Sequence, residues 1–385
     1  MKFKKISLIT LLALTTVMAD NAKISGDAKL YYSTFDGGES DLFSKRDSIG
    51  DTALELKYSR NLKEGIVINA GITGVSTLGL EDSLVSGTWI NHNGGVKDQA
   101  YIDTANIVAK VATNTTLVVG RQALDTPFFY SEKWNIVPNT FDAVVAVNND
   151  IPDTTLVGAW VGRGDGDAKT VNAVNGNGGF SSFGGHPAYA FGLINKSIPN
   201  TAIQAWYYQI PSTAKAYWLQ ADTAITKETS LGLQYANAKK SNESDSSQAA
   251  AVKVGYAVGP LTSHVAYSKR SSVGSIDIAN IATGGGESKL YTEAFLNYGL
   301  VGSRKAETIA VGADYDIGTA KLGLLYTSVD TDKLNSDVKE VALTATTKVG
   351  LVNTTFAFIN TDAEGANSAL DGNTVQAYLT VPFSL

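Results

Sequence analysis

The chain ends on N-T-V-Q-A-Y-L-T-V-P-F-S-L, from Asn373 to Leu385. Val375, Ala377, Leu379, Val381, Phe383 and Leu385 share one parity. Thr374, Gln376, Tyr378, Thr380, Pro382 and Ser384 share the other. Side chains alternate between the faces of a strand, so the segment has one apolar face and one mostly polar face. Such a strand at the end of a chain suits two architectures. It can be the last strand of a soluble sandwich, or the closing strand of a membrane barrel with lipid outside and water inside. Taken alone, the segment does not choose between them.

The beginning of the chain bears on where the protein goes. Lys2, Lys4 and Lys5 precede an uncharged stretch from Ile6 to Val17, which ends in Val17-Met18-Ala19. This is the pattern of a secretory signal peptide, with cleavage expected after Ala19 and a single domain over 20–385. Loss of the three leader lysines leaves 28 basic against 37 acidic residues, a net charge of −9, which argues against a nucleic-acid partner. The chain has no cysteine, so neither a disulfide framework nor a thiolate metal site is available. After the leader no segment approaches the ~20 consecutive apolar residues of a membrane helix. If this chain spans a bilayer it does so as a closed barrel, because only helices and barrels satisfy every backbone group in lipid.

The connections discriminate. Short amphipathic segments follow one another with almost no helical periodicity, and the links between them alternate in length. Asp36 to Gly50 is long and Asn61 to Gly65 short. Leu78 to Gln99 is long and Asn114-Thr115 short. Leu124 to Asn139 is long and Asn148 to Asp153 short. Ser271 to about Ala306 is the longest link. Two links break the rule: Pro211 to Ala214 is short where a long one is due, and Asp330 to Asn335 is only moderate. The segments number eighteen, with sixteen the neighbouring even count. Sorting by length is the habit of an up-and-down antiparallel membrane barrel, with short turns on one side and long loops on the other. A sandwich has no reason to do it. About 16 to 18 strands enclose an aqueous channel rather than a filled core.

Charge placement agrees. An Arg or Lys at the lipid midplane costs roughly 2–4 kcal/mol, and Lys57, Lys110, Lys253 and Lys321 all fall opposite the apolar stripe, as does Glu55. Tyr31, Tyr32, Tyr101, Trp206, Tyr207, Tyr208 and Trp218 cluster near strand ends, where interfacial girdles are expected.

The stretch Gly120 to Val145 is the candidate functional element. It is less polar than the other long links and holds Phe128, Phe129, Tyr130, Trp134, Ile136 and Val137. A loop free in water gains nothing from these residues, whereas one folded into the barrel packs them on the inner wall. Asp125, Glu132 and Lys133 lie within it and Arg121 at its base. Opposed charges across a low-dielectric narrowing would set a transverse field and select ions.

The same residues carry a resemblance. G-R-Q-A-L-D-T-P at 120–127, P-N-T-F-D-A at 138–143 and D-I-P-D-T-T-L-V-G-A-W-V-G-R at 150–163 resemble the OprD-type porins, above all the major outer-membrane porins of epsilon-proteobacteria. The resemblance is motif-specific over about 120–163 and otherwise one of layout. It implies an eighteen-stranded, trimeric barrel in the bacterial outer membrane that passes small polar solutes, with the third loop as its eyelet. By match Arg121 is a wall residue, and Asp125 and Glu132 are loop acids. The dense arginine ladder of the substrate-specific members is absent, and Lys57, Lys110, Arg121 and Arg163 are scattered candidates. Arg121 shares parity with Leu117 and Val119, which face lipid. A bulge restores it to the pore, or Val118 faces outward instead, or Arg121 stands above the apolar band; the pore-facing reading is preferred.

The expectation is therefore a passive diffusion channel in contact with membrane lipid, weakly favouring cations. Arg121, Asp125, Phe128, Glu132 and Lys133 form the constriction, and Glu55, Lys57, Lys110 and Arg163 line the pore. No catalytic set, cofactor or metal is expected. His92, His186 and His264 are far apart, and Asp165-Gly166-Asp167 lacks the rest of a calcium loop. The alternative is a surface adhesin or structural barrel, for which Arg163-Gly164-Asp165 is a chance R-G-D.

Overall fold

The computed structural model describes residues 22–38, 41–87, 99–132, 136–165, 180–283, 286–332, 336–363 and 365–385. Each amphipathic segment is a strand. The first nine are β1 (Lys23–Phe35), β2 (Ser48–Lys63), β3 (Ile66–Ser76), β4 (Gln99–Ala112), β5 (Thr115–Gln122), β6 (Phe141–Asn148), β7 (Thr154–Gly164), β8 (Ala188–Asn195) and β9 (Thr201–Ile210). The rest are β10 (Ala214–Ala224), β11 (Thr229–Lys240), β12 (Ser247–Val258), β13 (Leu261–Arg270), β14 (Glu307–Asp316), β15 (Ala320–Thr331), β16 (Ser336–Val349), β17 (Val352–Ala363) and β18 (Gly372–Ser384).

Every strand pairs antiparallel with its neighbours in sequence. The sheet of eighteen closes where β1 meets β18, with Leu30 opposite Leu379 and Tyr31 opposite Tyr378. Closure removes both sheet edges, which is what a lipid environment demands. Phe383 completes the seam on the outer face. It lies opposite Gly26, where a Cβ would come within 2.5 Å of its ring.

The period-two pattern sets the two faces. Leu54, Leu56, Ile107, Phe191, Leu219, Val254, Val311, Leu324 and Phe358 are large, apolar and exposed on the outside. The inner face holds polar residues such as Asp51, Glu55, Asp103, Gln234 and Glu340. Where loops press against it, it holds small ones: Ala214, Ala216, Ala236, Ala238, Ala249 and Ala251. An apolar outside and a polar inside invert a soluble protein. This is a membrane-spanning barrel, its outer belt facing lipid.

The expected aromatic girdle is corrected in part by these faces: Tyr32 and Tyr207 keep the outer parity, and the other five do not. Tyr31, Tyr101, Trp206, Tyr208 and Trp218 are buried on the inner face, where they pack against loops. Aromatic residues on the outside include Trp160, Phe191, Tyr235, Tyr256 and Phe356.

Two bulges re-aim side chains. The β3–β4 register slips by one between Gly71 and Ile72, and the β6–β7 register slips between Asp142 and Ala143. One extra residue in a strand moves everything beyond it to the other face.

Candidate functional site

Among the described residues, two long loops fold deep into the barrel. The link between β5 and β6, residues 123–140, is the one whose composition predicts it. Phe128 is fully buried and meets Tyr208 and Trp218 edge-on, with ring centroids 5.5 and 5.7 Å apart. Phe129 meets Phe183 at 4.9 Å. The loop thus reaches the inner wall at β9 and β10. Its far end packs Ile136 and Val137 with Tyr31, Ile49, Ala53, Val75 and Tyr101 on β1–β4. Lys29 donates to the Ile136 carbonyl at 3.2 Å and pairs with Glu55.

The base of this loop explains part of its motif. Gly120 has φ of +118°, and a Cβ there would lie 2.2 Å from the Ala105 carbonyl oxygen. Only glycine tolerates both. Gln122, pointing inward, donates to the Ala143 carbonyl at 3.2 Å and braces the loop's two roots.

The second loop, residues 271–306 between β13 and β14, also folds inward. Its length is visible in the sequence but its course is not. The signal that finds it is the one used for the first loop: Ile276, Ile278, Ile281, Leu290, Tyr291, Phe295, Leu300 and Val301 are too apolar for a loop in water. Ile278, Ala282, Leu290, Leu300 and Val301 join the same buried cluster as Phe128.

Its anchors are polar. Arg270 is buried and donates to the carbonyls of Ser271, Val273, Gly274 and Ile276 and to the Ser247 hydroxyl, at 2.6 to 3.0 Å. Gln234 on β11 receives the Tyr291 N–H at 3.0 Å. Glu340 on β16 accepts the N–H groups of Phe295, Leu296 and Asn297 at 2.7, 3.1 and 2.9 Å.

The two loops meet. Ile281 N–H donates to the Phe128 carbonyl at 2.9 Å. Asn280 donates to the Tyr130 carbonyl and to Glu132 at 2.8 and 3.0 Å. Asp125 pairs with Lys289 at 2.9 Å, and Lys289 stands 4.2 Å from the centroid of the Tyr130 ring. Burial pushes the Glu293 carboxyl well above the usual range, with Glu287 and Glu132 adding to it and the hydrogen bonds from Ser288 opposing it.

The expected site residues separate into three groups. Glu55, Lys57 and Lys110 occupy the inner face. Lys57 bridges Glu55 at 2.7 Å and Asp27 at 3.1 Å, and Lys110 sits at the turn end of β4. Asp125, Phe128 and Glu132 belong to the first loop, but only Asp125 keeps water contact, its side chain 30% exposed. Phe128 packs and Glu132 is buried against Asn280 and Thr283. Lys133 lies outside the described residues.

Arg121 and Arg163 are elsewhere. Arg121 keeps the parity of Leu117 and Val119 and stays on the outer face. It grips Asp142 at 2.9 Å, donates to the Ile102 carbonyl at 2.7 Å and stacks 3.6 Å from the centroid of Phe180. Arg163 begins on the inner parity of Val157, Ala159 and Val161. The bulge at Gly162 turns it outward, opposite Asp142, which it meets at 2.8 Å. Neither arginine lines the pore; the bulge is invisible to a count of parity.

A closed barrel with an apolar outside, a polar inside and two loops across its bore defines a transmembrane barrel of the porin type. Its fold is that of the OprD/Occ outer-membrane channels. It superposes on OccK8 (OprE) of Pseudomonas aeruginosa with a TM-score of 0.74 at 15% identity, covering 95% of this chain and 98% of that one. OpdK of the same organism, solved with vanillate, gives 0.76 at 12% identity, covering 95% and 99%. OccAB1 of Acinetobacter baumannii gives 0.76 at 14% identity, covering 94% and 97%. No family model and no curated relative matches the sequence.

Proposed function

We propose that this barrel is a water-filled channel for passive diffusion of ions and small hydrophilic solutes, with no catalytic step and no cofactor. The carrying observation is the meeting of the two inward loops, where Asp125 and Lys289 stay in contact with water above a packed apolar base. Loops anchored on opposite walls leave solutes a passage whose width they set, and an opposed charge pair at its edge gives it a field. Residues 124–139 form one side of the constriction and residues 271–306 the other. The net charge of −9 after removal of the leader supports a weak preference for cations.

The test is planar-bilayer conductance with neutral solutes of graded size, followed by the reversal potential under a salt gradient. A steady ohmic channel blocked above a sharp solute size supports the reading. A barrel that conducts nothing overturns it, and an anion-selective reversal potential overturns the cation preference. The adhesive alternative loses its motif, since Asp165 of Arg163-Gly164-Asp165 is fully buried and is not displayed.

A further inference from the structure

Two lysines at the loop-side rim of the outer wall are matched to acids across the sheet. Lys269 on β13 is one strand from Glu307 on β14, in register, and pairs with it at 2.7 Å. Lys339 on β16 stands opposite Asp362 on β17, 3.9 Å away. The rim at β10 and β11 departs from this. There Lys215 stands opposite Lys239. The other cross-strand neighbour of Lys215, on β9, is Gln209. Both lysines share the outward parity of Leu219 and Leu233. Among the described residues neither pairs with a carboxylate, and Lys239 donates only to the Ser244 carbonyl, at 2.8 Å. Like charges directly opposite each other on one face destabilise a sheet, so the pair calls for an anion from outside the chain.

The surface below the pair is apolar and hollow. The register of β8 to β11 sets it out in rows. Tyr189, Gln209, Lys215 and Lys239 make the top row. Phe191, Tyr207, Tyr217 and Asn237 make the next, and Leu193, Ala205, Leu219 and Tyr235 the one beneath. Ala205 is the small side chain among large ones, and an open hollow lies over it, walled by Phe191, Tyr207, Leu219 and Tyr235. The Tyr207 and Tyr217 rings stand 5.1 Å apart above it. The Tyr207 hydroxyl donates to Gln209 Oε1 at 2.7 Å, which leaves the Gln209 NH2 group as a donor beside Lys215.

Strands rise about 3.3 Å per residue and tilt by roughly 35–45° in such barrels, so each position climbs about 2.5 Å. Lys215 stands nine positions above Ala224, the turn end of β10. That is ~22 Å up an apolar band ~25 Å tall, on the side of the long exterior loops. The lysines therefore reach the headgroup boundary of the outer leaflet, with the hollow at the depth of acyl chains. We propose that the outer face of β8–β11 binds one phosphorylated glycolipid of that leaflet. Its phosphate bridges Lys215 and Lys239 and accepts from Gln209, and an acyl chain fills the hollow over Ala205. A phosphomonoester carries roughly −1.5 to −2 at neutral pH, which matches two lysines. The diester of a glycerophospholipid carries a single charge and leaves one lysine unmatched.

Protein extracted from its own outer membrane in mild detergent should carry one phosphorylated glycolipid per chain in native mass spectrometry. Lys215→Gln with Lys239→Gln should lose it, and Lys215→Arg with Lys239→Arg should keep it. Ala205→Trp fills the hollow and should lose it with both lysines in place. Lys269→Gln, at a rim position already matched to an acid, should keep it. Heat-modifiable gel migration shows that each barrel has closed. Delipidated wild-type protein should take up the glycolipid from vesicles but not its dephosphorylated form. Protein that retains no glycolipid overturns the proposal. So does retention indifferent to the double glutamine variant, a glycerophospholipid retained in its place, or equal uptake of the dephosphorylated form. None of these readouts depends on conductance, so they fail separately from the channel reading.

Discussion

Glu340 holds the second loop to the wall, and its replacement by glutamine isolates that function at nearly constant volume. The carboxylate accepts three consecutive backbone N–H groups, from Phe295, Leu296 and Asn297, and the Asn297 side-chain amide at 2.9 Å. A glutamine keeps one accepting oxygen and turns an NH2 group toward donors. Two charge-assisted bonds are then lost, and each is worth about 1.5–3 kcal/mol. The loop's hold on β16 weakens by roughly 3–6 kcal/mol. That is enough to release residues 295–297 locally, while the hydrogen bonds of the barrel are untouched. Single-channel recording should show Glu340→Gln with a larger mean conductance or frequent excursions to a larger level, and Glu340→Ala should do the same. Heat-modifiable gel migration should confirm that both barrels remain closed. Traces from Glu340→Gln that superimpose on wild type, in size and in noise, would refute the assignment of this loop to the constriction.

Three further outcomes are expected. Phe128→Ala removes a ring buried between Tyr208 and Trp218, costing about 3–5 kcal/mol of local packing; conductance should rise, and an unchanged value would place the first loop outside the passage. Exchanging the pair as Asp125→Lys with Lys289→Asp should alter current rectification while preserving conductance, whereas Asp125→Lys alone should move the reversal potential toward anions. Burial pushes the Asp165 carboxyl up to about 6, against hydrogen bonds to the Thr140 and Asp165 N–H groups. A raised carboxyl is stabilising when protonated, so stability is greatest near pH 4, falls as pH rises to about 6 and then levels. The drop is about 3 kcal/mol for roughly two pKa units. Asp165→Asn should lack this slope in thermal unfolding followed by gel shift, and parallel curves would discount it.

Much of the fold is legible in the residues because a membrane barrel is a one-dimensional code. Leu322, Leu324 and Tyr326 against Lys321, Gly323 and Thr327 already state which side meets lipid. The strand count and the β1–β18 seam follow from that alternation and from the loop lengths. The first loop is legible because its aromatics have no other place to go. Three things are not. Gly162 and the slip at Gly71 shift the pattern by one, and no local propensity announces it, so Arg163 emerges on the wrong side. Tyr31, Tyr208 and Trp218 look interfacial because tyrosine and tryptophan suit both an interface and the wall beneath a loop. The second loop hides behind its serines and glycines, although Ile278, Leu290 and Phe295 carry the same message as Phe128.

The anchoring of the two loops has a mechanical consequence. The first ties β1–β2 through Lys29 to β9–β10 through Phe128. The second ties β11 through Gln234 to β16 through Glu340 and to β17, where Asn297 donates to Thr361 at 3.1 Å. Joined at Asn280 and Phe128, they act as spokes inside a hoop. An empty cylinder ovalises when the bilayer squeezes it, and its bore changes with lipid tension. A spoked one resists, so the size limit for solutes should hold across membranes of different thickness and composition.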